Sequence, residues 1–558
     1  MKIKITLFAF LISFAVFSQA PNWAWAKRAG GTDYEYGHSV STDPAGNSYV
    51  TGYFNSSSVT FGTTVLSNTG NINTHDIFIV KYDKNGHVIW AKSAGSPSDD
   101  YANSICIGPN GTIFVAGFFR GDSLSFGTAV VANDSAGTTD LFLAKYDTSG
   151  NVIWARSAGG KYNDYANSIS ADANGNSFIT GFFQSDSISF DTIFLANVNA
   201  DTADIYVAKY DASGNAVWAK SAGGRNYDYG ESISTDLNGN VIVTGEFMDS
   251  SIMFGTTILF NSSNGTEIFI VKYDSNGAVL WAKSAGGNGG EFVTDIVTEA
   301  NGNSYITGRF IGASISFGST TLQNAGTSGF DIFIAKYNAN GDPLWANSAG
   351  GLNDDIGYGI STDANGNVYV TGYFSSSSIT FGTTTLTNPA NGLWQIFVVE
   401  CDANNNFAWA KSAGGADNDF AQSISNDADG NTYLVGSFGS PAAFFGTTSL
   451  SNSSSTVTYD FFIARLDSTA INSGIDASDK TFSVHIFPNP SSGKFILQSS
   501  EKLSGDIFIT NILGEIIYQS VINSSQQEIN LSSQPAGIYF VNVKTGDEIF
   551  SQKIVIQN

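Results

Sequence analysis

The residues with chemistry to offer are acids, a few histidines and one neighbouring acid–base pair. Seven acids recur: Glu35, Asp100, Asp164, Asp228, Glu291, Asp355 and Asp419. Each follows a Trp-Ala-Lys-like stretch, and in most repeats an aromatic comes next, as Tyr36, Tyr101, Tyr165, Tyr229, Phe292 and Phe420. A ring of carboxylates has the chemistry to hold a hard cation such as Ca²⁺. Identical repetition favours the other use of such side chains, capping backbone N–H groups in every loop. No metal or cofactor is therefore expected from this set.

A second series breaks its own symmetry. At the position after Thr-Gly it runs Tyr53, Phe118, Phe182, Glu246, Arg309, Tyr373 and Ser437. Neighbouring repeats thus offer an acid and a base beside rings that can stack on a sugar or an aromatic ligand. Simple charge compensation is the alternative. A comparable exception is Glu400, where the other repeats carry Lys or Arg, and Asn347 replaces a base in the adjacent repeat; drift is the expected reading, with mutual compensation as the alternative.

His38, His75 and His87 share one repeat but fall at a strand start, a loop and a turn, which does not make a three-His metal site. Asp-x-x-Gly-Asn segments such as Asp172–Asn176 and Asp427–Asn431 lack the distal bidentate Glu of a calcium loop and read as hairpin turns. Cys106 and Cys401 lie at different repeat positions, as packed substitutions without a disulfide. There is no phosphate-cradling glycine motif, nucleophile elbow or Cys-x-x-Cys, and no catalytic residue is assigned.

These residues are positioned by a tandem array. Trp-Ala-Lys-Ser-Ala-Gly-Gly starts at Trp218, Trp281 and Trp409, with variants at Trp25, Trp90, Trp154 and Trp345, about 64 residues apart. In the repeat beginning at Gly359, residues 360–363, 368–374, 396–401 and 407–411 alternate as strands separated by Gly-containing turns. Four antiparallel strands per repeat make a propeller blade. Phe61-Gly62-Thr63 and its copies mark an inserted β-excursion between strands two and three.

First and third strands occur seven times, yet the first Trp-Ala-Lys strand precedes every blade and none follows the last. The fold expected is therefore all-β: a seven-bladed propeller over residues 19–467, closed by the strand of Trp23 and Trp25, because closure removes open sheet edges. Trp25→Ala is expected to cost about 3–5 kcal/mol.

Net charge is −24, which excludes a phosphate-binding surface and so nucleic acid. Lys2 and Lys4 precede an apolar run from Ile5 to Phe17, the pattern of a signal peptide over residues 1–18 cut between Ser18 and Gln19. No transmembrane helix is expected in the mature chain, which reads as a monomer. Residues 468–483 read as a linker, and 484–558 as a small Ig-like β-sandwich.

Two resemblances carry these readings further. Tyr-Val-Thr-Gly-Tyr-Phe, Phe-Gly-Thr, Asp-Ile-Phe-Ile-Ala-Lys-Tyr-Asp and Trp-Ala-Lys resemble the bacterial SBBP-type β-propeller repeat across Trp23 to Asp467, a resemblance to a scaffold rather than an activity. Phe487-Pro488-Asn489-Pro490, Gly493, Ile507 to Gly514, Gly537, Tyr539 and Lys553 resemble the C-terminal sorting domain of type IX secretion cargo in Bacteroidetes-type bacteria, with Asn511 where Asp is common. That resemblance implies the type IX machinery as a partner and release or lipopolysaccharide attachment at the cell surface. Together they point to an exported, non-enzymatic binding protein for an extracellular polysaccharide or protein. The alternatives are a glycan hydrolase or lyase acting through carboxylates, and a structural surface-layer component.

Overall fold

In a computed structural model the chain divides into two units, Met1–Thr469 and Ala470–Asn558. The structure describes residues 20–70, 73–199, 202–261, 265–326, 328–390, 392–454, 458–468, 484–499, 502–511, 515–545 and 548–557. Ser18, Gln19 and Gly514, named above, lie outside them, as does nearly all of the linker segment.

The first unit is a propeller-like repeat of four-stranded antiparallel sheets. In the first sheet the strands Glu35–Thr42, Ser48–Phe54, Asp76–Tyr82 and Val88–Ala94 pair in chain order. The pattern recurs with innermost strands Asp100–Ile107, Asp164–Ala171, Asp228–Thr235, Glu291–Thr298, Asp355–Thr362 and Asp419–Asn426. The last of these sheets takes its fourth strand from the other end of the sequence: Trp23–Ala29 pairs antiparallel with Asp460–Leu466, Ala26 opposite Ala464. Asp467 N–H donates to the Asn22 carbonyl at 3.0 Å where other sheets have a covalent turn.

Each innermost strand also packs against the innermost strands of both neighbouring sheets, Glu35–Thr42 meeting Asp419–Asn426. Apolar cores fill every seam: Val40, Val50 and Phe78 of the first sheet interdigitate with Tyr433, Phe461 and Ile463 of the last, just as Ile179 and Phe183 do with Leu141 and Leu143. An open row of sheets would have one seam fewer than sheets.

The innermost strands begin at the acids, four residues earlier than the alternation of apolar residues suggests. The cause is a β-bulge that interrupts the period, with register shifts between Gly37/Ser39, Ala102/Ser104 and Ala166/Ser168 and at the same place in the other sheets. The β-excursion is a two-stranded hairpin, Ser58–Phe61 with Thr64–Ser67 in the first sheet. Its Phe61 is buried, and Gly62 takes the left-handed conformation at φ 61°. Where Asp191 replaces that glycine, it adopts φ 53° and its carboxylate accepts the Ala216 N–H at 2.7 Å. Hairpins also reach the preceding sheet, through bridges such as Gly95 to Ser125 and Gly414 to Phe444, so the excursion ties neighbours together.

Most of the loud heptapeptide is accounted for by neighbours. The indole N–H groups of Trp25, Trp90, Trp154, Trp218 and Trp281 donate to Lys84, Thr148, Ala212, Ser275 and Ala339 carbonyls, each in a turn of the next sheet, at 3.0–3.2 Å. The first Gly is required by a carboxylate lying against it: a Cβ on Gly350 would stand 1.9 Å from Asp331 Oδ1.

In the second unit, Val484–Phe487, Lys494–Ser499 and Gln526–Asn530 form one sheet, and Ile516–Ile522, Gly505–Asn511, Gly537–Thr545 and Glu548–Ile556 form another. Phe495 and Leu497 of the first share one core with Ile507, Val541 and Ile554 of the second. Asn489 donates to the Lys553 carbonyl at 2.8 Å and accepts from Val555 N–H at 3.0 Å, and Tyr539 Oη donates to the Pro535 carbonyl at 2.7 Å. The sorting-motif residues Pro488, Asn489 and Pro490 thus lead into a loop tied to the strand that carries Lys553. Among the described residues no helix is long and apolar enough to cross a membrane.

Candidate functional site: the mouth of the repeat unit

Six of the seven acids are spent on loop backbone and serine hydroxyls. All are fully buried at the starts of the innermost strands. Asp419 accepts from Gly415 N–H at 2.6 Å, Ser440 N–H at 3.1 Å and Ser440 Oγ at 2.7 Å. Asp100 accepts from Ser96 N–H and Oγ, Asp355 from Ser376 N–H and Oγ, and Glu35 from Gly31 N–H. Asp164 accepts from Ser185 N–H and Oγ and Asp228 from Met248 N–H, so six of the seven carboxyls close the loop ahead of their strand or the loop beyond strand two, whereas both oxygens of Glu291 are buried without a hydrogen-bond partner among the described residues. Burial pushes them up, Asp419 to about 6, Asp164, Glu291 and Asp355 to about 7, and Glu35, Asp100 and Asp228 to about 8. Among the described residues no group of three or more His, Cys, Asp or Glu converges as metal ligands would.

The two aromatic series recognised in the sequence are one structure. Tyr36 lies opposite Tyr53, Tyr101 opposite Phe118, and Tyr165 opposite Phe182. Their rings form a chain around the mouth from Tyr36 through Tyr53, Tyr101, Phe118, Tyr165 and Phe182 to Tyr229, at centroid spacings of 4.7–5.1 Å. In the other direction the chain passes from Tyr36 to Phe420, Trp394, Tyr373 and Tyr358, at 4.6–6.3 Å.

The belt breaks in one sector. Opposite Tyr229 stands Glu246, and opposite Phe292 stands Arg309. Both line a cavity of about 410 Å³, together with Glu231, Tyr229, Met248, Phe292, Tyr358 and His38. Glu246 is 3% exposed, with Oε1 accepting the Val293 N–H at 2.7 Å. Its carboxyl is hydrogen-bonded to that of Glu231, which also accepts from Asn167 Nδ2 at 3.3 Å. Two carboxyls in this geometry share a proton: burial raises both, their mutual repulsion raises Glu246 further, and Arg309 opposes the rise. The Arg309 guanidinium lies over the Phe292 ring at 4.9 Å and the Phe330 ring at 5.4 Å.

Sequence reasoning found Glu246 and Arg309 but missed Glu231. It occupies the bulge, the position filled in turn by His38, Asn103, Asn167, Glu231, Thr294, Tyr358 and Gln422, where almost every sheet differs. A bulge re-aims its side chain. Asn103, Asn167 and Thr294 staple to the Ala166, Gly230 and Gly357 carbonyls of the next sheet, and His38, Glu231, Thr294, Tyr358 and Gln422 line the cavity. Burial pushes the His38 imidazole down to about 4, so it is neutral there.

The other candidates fall elsewhere. His75 bonds Asp99 at 2.9 Å and Tyr101 Oη at 3.0 Å at the rim, and His87 bonds Asp83 within a tight turn. In the Asp-x-x-Gly-Asn segments the carboxylate is consumed locally, Asp172 accepting from Asn174 N–H, Asn176 N–H and Asn176 Nδ2. Cys106 and Cys401 are free. Glu400 and Asn347 do not compensate one another. Asn347 Nδ2 donates to Asn405 Oδ1 at 2.6 Å, where Asn405 holds the left-handed turn position usually given to Gly. Glu400 accepts the indole N–H of its own strand partner Trp409 at 2.5 Å. The next sheet is the one completed by Trp23–Ala29, so it has no covalent turn to receive that indole, and Glu400 supplies the missing acceptor.

Comparisons with known proteins agree with these units. The beta-propeller repeat model SBBP matches residues 24–57, and the secretion system C-terminal sorting domain matches residues 485–557. An uncharacterised WD repeat-containing protein of Acanthamoeba polyphaga mimivirus is 28% identical over 363 residues, 54% of this chain and 26% of its own. Regulatory protein FlaEY of Caulobacter vibrioides is 24% identical over 323 residues, 53% of this chain and 32% of its own. This chain thus spans about a quarter to a third of those relatives. Sqt1 from Chaetomium thermophilum aligns over 86% of this chain and 96% of its own at 9% identity, with a TM-score of 0.36. The chain thus carries a segment, residues 24–57, that matches the SBBP beta-propeller repeat and a C-terminal segment, residues 485–557, that matches the secretion system sorting domain.

Proposed function

We propose that this protein is a type IX cargo that binds an extracellular polysaccharide or protein at the mouth of a closed seven-bladed propeller. Residues 1–18 act as its signal peptide, and residues 484–558 form an Ig-like sandwich that directs passage across the outer membrane. The mature protein is a monomer, released or held at the cell surface. Closure is supported by the pairing of Trp23–Ala29 with Asp460–Leu466 and by the apolar seam between the first and last sheets.

One observation carries the binding reading. The belt of ring contacts stays continuous past Ser437, because Phe420 still meets Tyr36, but it is interrupted where Glu246 and Arg309 stand in neighbouring sheets with Glu231 beside them, and the cavity opens there. Function in a symmetric scaffold belongs where the symmetry fails. The glycan-cleaving alternative draws on the same two non-repeating acids. Glycosidase carboxyls stand about 5–9.5 Å apart to accept the sugar bond or a water, whereas Glu231 and Glu246 are bonded directly to each other. A binding site fits better than a hydrolytic one.

The test is a glycan and protein array probed with the secreted protein and with Glu246→Gln and Arg309→Gln. A hit weakened by both substitutions supports the proposal. Turnover of a hit, abolished by Glu231→Gln, would replace binding by catalysis.

A further inference from the structure

We infer that the mouth cavity is a receptor for a small zwitterion, a free α-amino acid or short peptide whose carboxylate meets Arg309 and whose ammonium meets the Glu231–Glu246 pair. The inference rests on the reading of the mouth as a ligand-binding face. It starts from two opposite charges that share one cavity and feel each other at Coulombic range but make no salt bridge. Among the described residues Arg309 makes ring contacts but no hydrogen bond or salt bridge, so its N–H donors are unspent. Phe292 and Phe330 hold the guanidinium, and no salt bridge joins it to either glutamate. The acid pair, hydrogen-bonded through one shared proton, becomes anionic as Glu231, pushed up to about 7 by burial, loses its own proton, and Glu246 is almost wholly buried.

A cavity with a cation and an anion held apart fits a dipole. An uncharged sugar would give the guanidinium only neutral hydroxyl acceptors, weaker partners than a carboxylate. A polyanionic glycan would match Arg309 but must approach a chain of net charge −24, which repels it. A zwitterion satisfies both groups with no net-charge penalty. The volume of about 410 Å³ suits an amino acid or a dipeptide, and Tyr229, Met248 and Phe292 offer apolar wall to its side chain.

Isothermal titration calorimetry on the full secreted protein, with L-leucine, L-phenylalanine and L-alanyl-L-alanine as probes, tests this. The expected result is saturable 1:1 binding of at least one probe. Affinity should fall at least tenfold for N-acetyl-L-phenylalanine amide or the equally blocked form of the binding probe, and at least tenfold in Arg309→Gln, with Arg309→Lys retaining part of it. Unchanged thermal midpoints in these variants exclude misfolding as the cause. Binding of no probe, or equal binding of the blocked form, overturns the inference. Binding of maltotriose that Arg309→Gln weakens would also overturn it while leaving the mouth as the binding face. An array hit that neither Glu246→Gln nor Arg309→Gln weakens would remove the mouth reading itself.

Discussion

Trp25→Ala probes the joint between the two ends of the repeat unit. Trp25 is half-buried, its ring edge-on to Tyr433 at 6.1 Å and its indole N–H bonded to the Lys84 carbonyl at 3.1 Å. An aromatic side chain buries about 150–250 Å² when enclosed. Half of that at about 25 cal/mol/Å² amounts to about 2–3 kcal/mol. The lost hydrogen bond, partly replaced by water, adds about 1 kcal/mol. The sum of about 3–4 kcal/mol sits in the lower part of the range for a fully enclosed aromatic, because the outer face of this ring is wet. All nine tryptophans of the chain lie in the first unit, so intrinsic fluorescence during urea unfolding reports that unit alone. Trp25→Phe should recover most of the loss. A change below about 1 kcal/mol, with an unaltered urea dependence, would refute the reasoning, since a strand that seals a seam cannot be dispensable.

Three other outcomes follow from the same geometry. Glu400→Ala strands the Trp409 indole N–H, which is 3% exposed, and should cost about 1–3 kcal/mol by urea unfolding; Glu400→Gln should recover part of it. Gly350→Ala forces a Cβ onto Asp331 and should cost about 1–3 kcal/mol in the same assay. Raised carboxyl values such as Asp419 at about 6 and Glu35 at about 8 mean that the folded state binds more protons than the unfolded one from about pH 4 upward. Their contribution is complete below the unfolded carboxyl range and is lost as pH rises through 6 to 8, so urea midpoints should fall from pH 5.5 to pH 8.5; a rise would contradict the burial of these acids.

The repeat, its strands and the displaced Trp25 strand were all legible because a β-array writes its period into spacing, and ring geometry constrains which strand lacks a partner. The first strands were read too short because the bulge at His38 and its equivalents breaks the alternation that marks a strand. Glu231 was missed for the same reason: it sits at a position whose seven occupants look like unrelated loop residues until the bulge shows that they share an aim. A comparison of repeats column by column would have singled it out. Glu400 looked like drift because its partner is set by an absent turn, a feature of how Trp23–Ala29 completes the last sheet and not of local sequence. The recurrence of an acid at one position in every repeat pointed to a use that every repeat contains, and six of the seven bond the loops of their own sheet, Glu291 being the exception.

The central claim is that the ligand is taken where the aromatic belt is interrupted. It is tested most directly by titrating an array-identified ligand into the wild-type protein, Glu246→Gln, Arg309→Gln and a control, Asp363→Asn, in a tight turn whose carboxylate bonds only within that turn and to Tyr369. The account predicts at least a tenfold loss of affinity in both mouth variants and none in the control. Equal affinity across all four proteins, or a loss confined to the control, would contradict it.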